Sequence, residues 1–170
     1  MKKIIIACLW CCISLFAGYA AQDTPLNITP APQEMTVKSG TFALTPQTSL
    51  VVGRTQRADL QKVAAYFQAK INRATGYDLA IKNSGNHNCI SLQIDRSLKL
   101  GDEGYRLSVT PKRVQVKART PQGLFYGMQS VMQLLPPQIE SEQPVDGIDW
   151  TMPCVEIGDE PAYGYRGMML

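Results

Sequence analysis

The stretch that most constrains the fold runs from Glu103 to Leu135, where the spacing of apolar residues changes once, from two to three and four. Tyr105, Leu107 and Val109 alternate with Arg106, Ser108 and Thr110, which puts one apolar face on a strand. Pro111-Lys112 turns the chain, since proline presets the backbone angle a turn needs. Val114, Val116 and Ala118 then alternate with Arg113, Gln115 and Lys117, a returning antiparallel strand. Thr120 is the expected N-cap of a helix and Pro121 suits its first position. Leu124, Met128, Val131 and Leu135 follow at helical spacing, with Phe125 and Met132 widening the stripe, until Pro136-Pro137 stops it. Gly123 and Gly127 lie one turn apart and cost helix propensity, so a close approach of helix to sheet is expected there.

Upstream, Leu60, Val63, Ala64, Phe67, Ile71 and Ala74 mark a second amphipathic helix, closed by Gly76. Met35 to Val37 and Thr41 to Leu44 are weak strand candidates separated by Ser39-Gly40. Leu50 to Val52, Leu79 to Lys82 and Cys89 to Ile94 read as strands, and Asn83 to Asn88 as a polar loop. Gln138 to Gly147 reads as an exposed loop and Trp150 to Ile157 as a further apolar stretch. A helix with a single apolar stripe must bury it against another layer. The expectation is therefore an α+β two-layer sandwich, a largely antiparallel sheet with two amphipathic helices on one face.

Lys2 and Lys3 precede an apolar run from Ile4 to Ala17, and Gly18-Tyr19-Ala20 offers a small-x-small cleavage site. This predicts a secretory signal peptide over residues 1–20, of bacterial length, and export to the periplasm or the cell exterior. A membrane span needs about 20 apolar residues, more than this run supplies. Of 17 Lys plus Arg against 14 Asp plus Glu, the loss of Lys2 and Lys3 leaves 15 against 14. A chain so nearly neutral has no basic cluster for a nucleic-acid partner. Cleavage also removes Cys8, Cys11 and Cys12. Cys89 and Cys154 remain, each in an apolar strand-like run, and buried unpaired thiols are favoured over a disulfide. With His87 as the only histidine and no close cysteine pair, neither a metal nor another cofactor is expected. Asn27-Ile28-Thr29 fits the glycosylation triplet and is read as chance in a bacterial chain.

Glu103-Gly104-Tyr105-x-Leu107, followed by Ala118-x-x-x-x-Gly123-Leu124-Phe125-Tyr126-Gly127-Met128-Gln129-Ser130-Val131-x-Gln133-Leu134-Leu135, resembles the N-terminal domain of family 20 β-N-acetylhexosaminidases. The resemblance implies a small α+β domain over residues 21–158. It also makes residues 159–170 a linker and the first strand of a catalytic (β/α)8 barrel, because Tyr165-Arg166-Gly167-x-Met169-Leu170 is similar to the segment that opens that barrel. The implied activity of the parent enzyme is retaining, substrate-assisted removal of terminal β-linked N-acetylglucosamine or N-acetylgalactosamine from glycans, without a metal. In that family an adjacent Asp-Glu pair does the chemistry. Its glutamate protonates the leaving oxygen and its aspartate orients the substrate acetamide, a departure from the usual two-carboxylate scheme.

Arg166 matches the arginine that clamps sugar hydroxyls in the family, a role that its fork of donors suits. It is the one substrate-binding residue the resemblance carries over, and only for the parent enzyme. Asp159-Glu160 precedes the Arg-Gly segment and matches the linker instead, so a solvated turn before Pro161 is expected. A barrel needs about 200 residues at the least, and nine follow Pro161. No catalytic residue is therefore expected in this chain, and the chain alone is expected to be inactive, with the missing barrel and a glycan as partners. A glycan-binding module or a docking scaffold is the alternative. His87 is expected at the surface; Phe125, Tyr126 and Met128 in the core; and Arg106, Arg113 and Lys117 on one solvated or domain-docking face.

Overall fold

The computed structural model describes residues 26, 28–53 and 57–162, apart from the side chains of Arg57 and Asp59. The expected signal peptide, Asn27 and Arg166 lie outside the described residues. Among the described residues seven strands and two α-helices follow one another as β1 (Glu34–Ala43), β2 (Ser49–Val52), α1 (Arg57–Thr75), β3 (Ala80–Lys82), β4 (Cys89–Ile94), β5 (Tyr105–Val109), β6 (Arg113–Ala118), α2 (Pro121–Leu134) and β7 (Thr151–Asp159). The strands form one sheet in the order β1-β7-β5-β6-β4-β2-β3. The α+β architecture is as expected, and the sheet is mixed. Its β1-β7-β5-β6 half is antiparallel, as the hairpin predicts, whereas β4 runs parallel to both β6 and β2, and β2 parallel to β3.

The parallel half follows from its connections. A helix between two strands returns the chain to the end where it started, so β2 and β3, joined through α1, run the same way. Residues 83–88 then run back over the face without helices and begin β4 on the other side of β2, so that Ser49 stands beside both Ala80 and Cys89. A side chain on Gly85 would meet Val51 Cγ2 at 3.0 Å, which shows how closely this connection lies on the sheet. Such pairings have no hairpin signal in the sequence.

On the helix-covered face, Leu60, Ala64, Phe67, Ile71 and Ala74 of α1 and Leu124, Met128 and Val131 of α2 are wholly buried. They pack with Leu50, Ile90, Leu92, Leu107, Val114 and Val116 of the sheet in one cluster. The expected close approach is present at both α2 glycines. A side chain on Gly123 would strike the Gly104 carbonyl and, at 2.8 Å, Ala118 Cβ. One on Gly127 would strike Val116 and lie 3.1 Å from the Tyr105 ring. Each glycine costs the helix about 1 kcal/mol relative to alanine. Burying Leu124 or Met128 gains about 1.5–3 kcal/mol apiece, so close seating outweighs the lost propensity.

The helix ends also match the sequence signals. The Thr120 hydroxyl accepts from Gly123 N–H at 3.2 Å and donates to the Asp102 carbonyl. Gly76 closes α1 at φ +72°, a left-handed position that favours glycine, and its N–H donates to Asn72 O at 2.7 Å. Two segments differ from expectation. β1 is one strand, because its register against β7 shifts between Val37 and Thr41. A bulge absorbs Ser39-Gly40 there without ending the strand. Beyond Pro136, residues Pro137–Glu140 form a 3-10 turn that buries Ile139, so this loop is partly core.

Candidate functional site

Two of the half-open troughs among the described residues involve side chains singled out by the sequence. The first lies where β7 ends. It holds about 340 Å³ and is lined by the arm at Ile28, Pro30 and Gln33, by Tyr126 and Gln129 of α2, and by Glu103. Asp159 and Glu160 border it, and both are engaged. Gln33 N–H donates to Asp159 Oδ1 at 3.1 Å, and Gly101 N–H donates to Glu160 Oε2 at 2.8 Å. The Gln33 side-chain amide donates to the Glu160 carbonyl at 2.7 Å. Both carboxylates thus accept from backbone N–H groups, Asp159 as the last residue of β7 and Glu160 just past it, so a half-buried strand end stands where a solvated turn was expected.

The second trough, about 320 Å³, crosses the helix-free face over β1, β7, β5 and β6. Val114, Val116 and Ala118 are buried under the helices, so the alternating Arg113, Gln115 and Lys117 face away from them. Arg106 sits opposite Lys117 in the register, so the three cations share this face as expected. Like charges directly opposite each other repel. The relief comes from the other side: Arg106 Nη1 lies 2.5 Å from Glu34 Oε2. Lys38 approaches Glu156 at 3.7 Å in the next row. All four side chains are about half exposed or more, so each pair contributes at most about 1 kcal/mol.

The remaining candidates fall apart spatially. His87 is exposed in the connection before β4. Cys89 and Cys154 are both buried and free. They sit on β4 and β7, with β6 and β5 between, three strand spacings or roughly 14 Å apart. A disulfide, at about 4.4–6.8 Å between Cα atoms, is out of reach. Burial pushes both thiols up, and nearby Arg113 and Lys82 partly offset this at Cys89. Among the described residues no three His, Cys, Asp or Glu side chains gather as metal ligands, and no helix is long and apolar enough to cross a membrane.

The aromatic residues of α2 divide. Met128 is wholly buried, as expected, and Phe125 is half-buried, its ring centroid 5.5 Å from that of Phe67 and 5.6 Å from that of Tyr66. Tyr126 is 37% exposed and corrects the expectation of a core position. It falls between the three- and four-residue steps that define the buried stripe. Sequence reasoning also missed Gln33, which lies between prolines and strand residues with no pattern to single it out.

A mixed seven-stranded sheet backed by two helices on one face defines a two-layer α+β domain. The chain belongs to glycoside hydrolase family 20: its residues 25–160 match the description "Glycosyl hydrolase family 20, domain 2". It is 33% identical to a beta-hexosaminidase of Porphyromonas gingivalis in an alignment that covers all of this chain and 23% of that protein. It is 31% identical to a lacto-N-biosidase of Bifidobacterium bifidum over 91% of this chain and 13% of that protein. Among solved structures, N-acetyl-beta-hexosaminidase from Streptomyces plicatus, in complex with Thio-NAglucal, superposes with a TM-score of 0.75 at 35% identity. That match covers 84% of this chain and 28% of the Streptomyces chain, so the present chain spans between 13% and 28% of the length of these three relatives.

Proposed function

We propose that this chain is the domain 2 portion of an exported β-N-acetylhexosaminidase that removes terminal β-linked N-acetylglucosamine or N-acetylgalactosamine from glycans. The observation that carries the reading is the family match over residues 25–160, supported by the shared fold with the Streptomyces enzyme. In this reading residues 1–20 are a cleaved signal peptide, residues 21–158 the supporting domain, and residues 159–170 the entry into a catalytic barrel. Arg166 is the sugar-clamping residue of that barrel, and the acid and the acetamide-orienting carboxylate lie in barrel sequence beyond these residues. The domain stabilises the barrel and does no chemistry itself. The parent enzyme acts in the periplasm or outside the cell.

Two measurements test this. The gene is read past Leu170, where the reading expects an open frame encoding an aspartate and then a barrel. The 170-residue chain and the longer product are then assayed on an aryl N-acetylglucosaminide. Turnover by the longer product alone supports the proposal. Turnover by the 170-residue chain that survives repurification, and is lost when its fold is disrupted, defeats it.

A further inference from the structure

Segments far apart in the sequence converge where β7 ends. The last ladder position of β7 pairs Asp159 with Tyr105, and β1 begins opposite Gly158. Sheet pairing therefore ends at Asp159, yet the polypeptide stays held beyond it. Gln33 grips it twice, through its N–H to Asp159 Oδ1 and its side chain to the Glu160 carbonyl. Gly101 N–H grips the Glu160 carboxylate from the loop before β5. A side chain on Gly104 would lie 3.0 Å from Glu160 Cβ, so the exit packs against this loop as well as bonding to it.

The gripping arm is itself anchored. Thr29 N–H donates to Gln133 Oε1 at 2.8 Å, and Gln133 Nε2 donates back to the Thr29 carbonyl at 3.0 Å. Ile28 beside it is buried in the core. The residue after Glu160 is Pro161, whose ring fixes its own backbone φ and restricts the conformation of the residue before it. Two donors on one residue, reaching two successive acceptors, hold a direction as well as a distance. Strand formation needs neither bond.

We infer that Gln33, Asp159 and Glu160 form a clamp that sets the direction in which the polypeptide leaves the domain at Pro161. They are positioning residues for the chain that follows. Only what the clamp aims, a catalytic barrel, rests on the proposed function; the clamp is a property of this chain and is tested on it. The 170-residue chain is labelled with ¹⁵N and the heteronuclear NOE of the Ala162 amide is compared with that of Val155 in mid-strand. Wild type is expected to show Ala162 nearly as ordered as Val155. Gln33→Ala and Glu160→Ala are each expected to halve the Ala162 value at least while Val155 and Tyr105 are unchanged. Glu160→Gln, which keeps an oxygen for Gly101 N–H, is expected to restore most of it. An Ala162 as mobile as a free tail in wild type, or one unmoved in the Gln33→Ala/Glu160→Ala double variant, would overturn the clamp. The wild-type value decides even where a variant folds poorly, and neither outcome depends on activity.

Discussion

Arg106 reaches Glu34 across the full width of β7, and it does so over Gly158. Glu34 stands opposite Gly158 on one side, and Gly158 opposite Arg106 on the other. A Cβ at Gly158 would strike the Arg106 guanidinium and lie 2.9 Å from Glu34 Oε2. The atoms displaced are the ends of two long, exposed side chains, which can swing aside. Gly158→Ala is therefore expected to break the ion pair yet change stability by less than about 1 kcal/mol, since the pair is exposed and alanine suits a strand better than glycine. Urea denaturation of wild type and variant, at low and high salt, checks this. A loss of several kcal/mol would mean that the row carries more than a solvated pair.

The same substitution in α2 has the opposite outcome. At Gly127 the new methyl meets Val116 and the Tyr105 ring, and at Gly123 a backbone carbonyl, none of which can rotate away. Gly127→Ala and Gly123→Ala each gain about 1 kcal/mol of helix propensity. Each also overpacks the interface, at a cost of about 1–3 kcal/mol or more. Net destabilisation is expected at both, and more at Gly123, where the obstacle is main chain. A rise in the urea midpoint for either would show that α2 does not sit so close.

These contrasts show what the sequence carried and what it did not. The hairpin and α2 were legible because each has a strong local period and its own punctuation: Pro111, Thr120-Pro121 and Pro136-Pro137. The glycine pair announced the close approach through its misfit in a helix. The parallel half of the sheet was not legible, because β3, three residues long, and the crossing loop 83–88 are placed by tertiary packing. β1 was read as two strands because a bulge looks like a break when its partner β7 is unknown. At the site, the place of Asp159-Glu160 before Pro161 suggests a solvated turn, whereas pairing with Tyr105 makes Asp159 a strand end, which depends on a partner more than 50 residues away. Gln33 could not be assigned, since its partners lie more than 120 residues away.

Tyr105 and Ser130 make a buried hydrogen bond at 2.6 Å between the sheet and α2. Removing one partner strands the other without water, a loss of about 1–3 kcal/mol; removing both strands neither. Tyr105→Phe and Ser130→Ala are each expected to destabilise in that range. The double variant is expected to lose clearly less than the sum, so the cycle should show coupling of about 0.5–3 kcal/mol. Additive losses would mean that the two groups do not depend on each other.

Burial also raises three groups that titrate on the alkaline side. Desolvation raises the thiols of Cys89 and Cys154 above their ordinary 9.0, and it raises the Tyr105 hydroxyl above 10.0 despite the opposing hydrogen bond from Ser130. In each case the folded state keeps its proton at a pH where the unfolded chain has lost it. The stability each group contributes is fully present below its unfolded value and declines as pH rises through the folded one. Stability is thus expected to be flat towards pH 9 on account of these groups, then to fall, first through the thiols and then through Tyr105. Cys89→Ala/Cys154→Ala should flatten the stretch between 9 and 10 and leave the later fall in place, whatever cavity cost it adds at neutral pH. Urea midpoints taken across pH 7 to 11 give the slopes. An unchanged slope between 9 and 10 in the double variant would assign that loss to groups other than the two thiols.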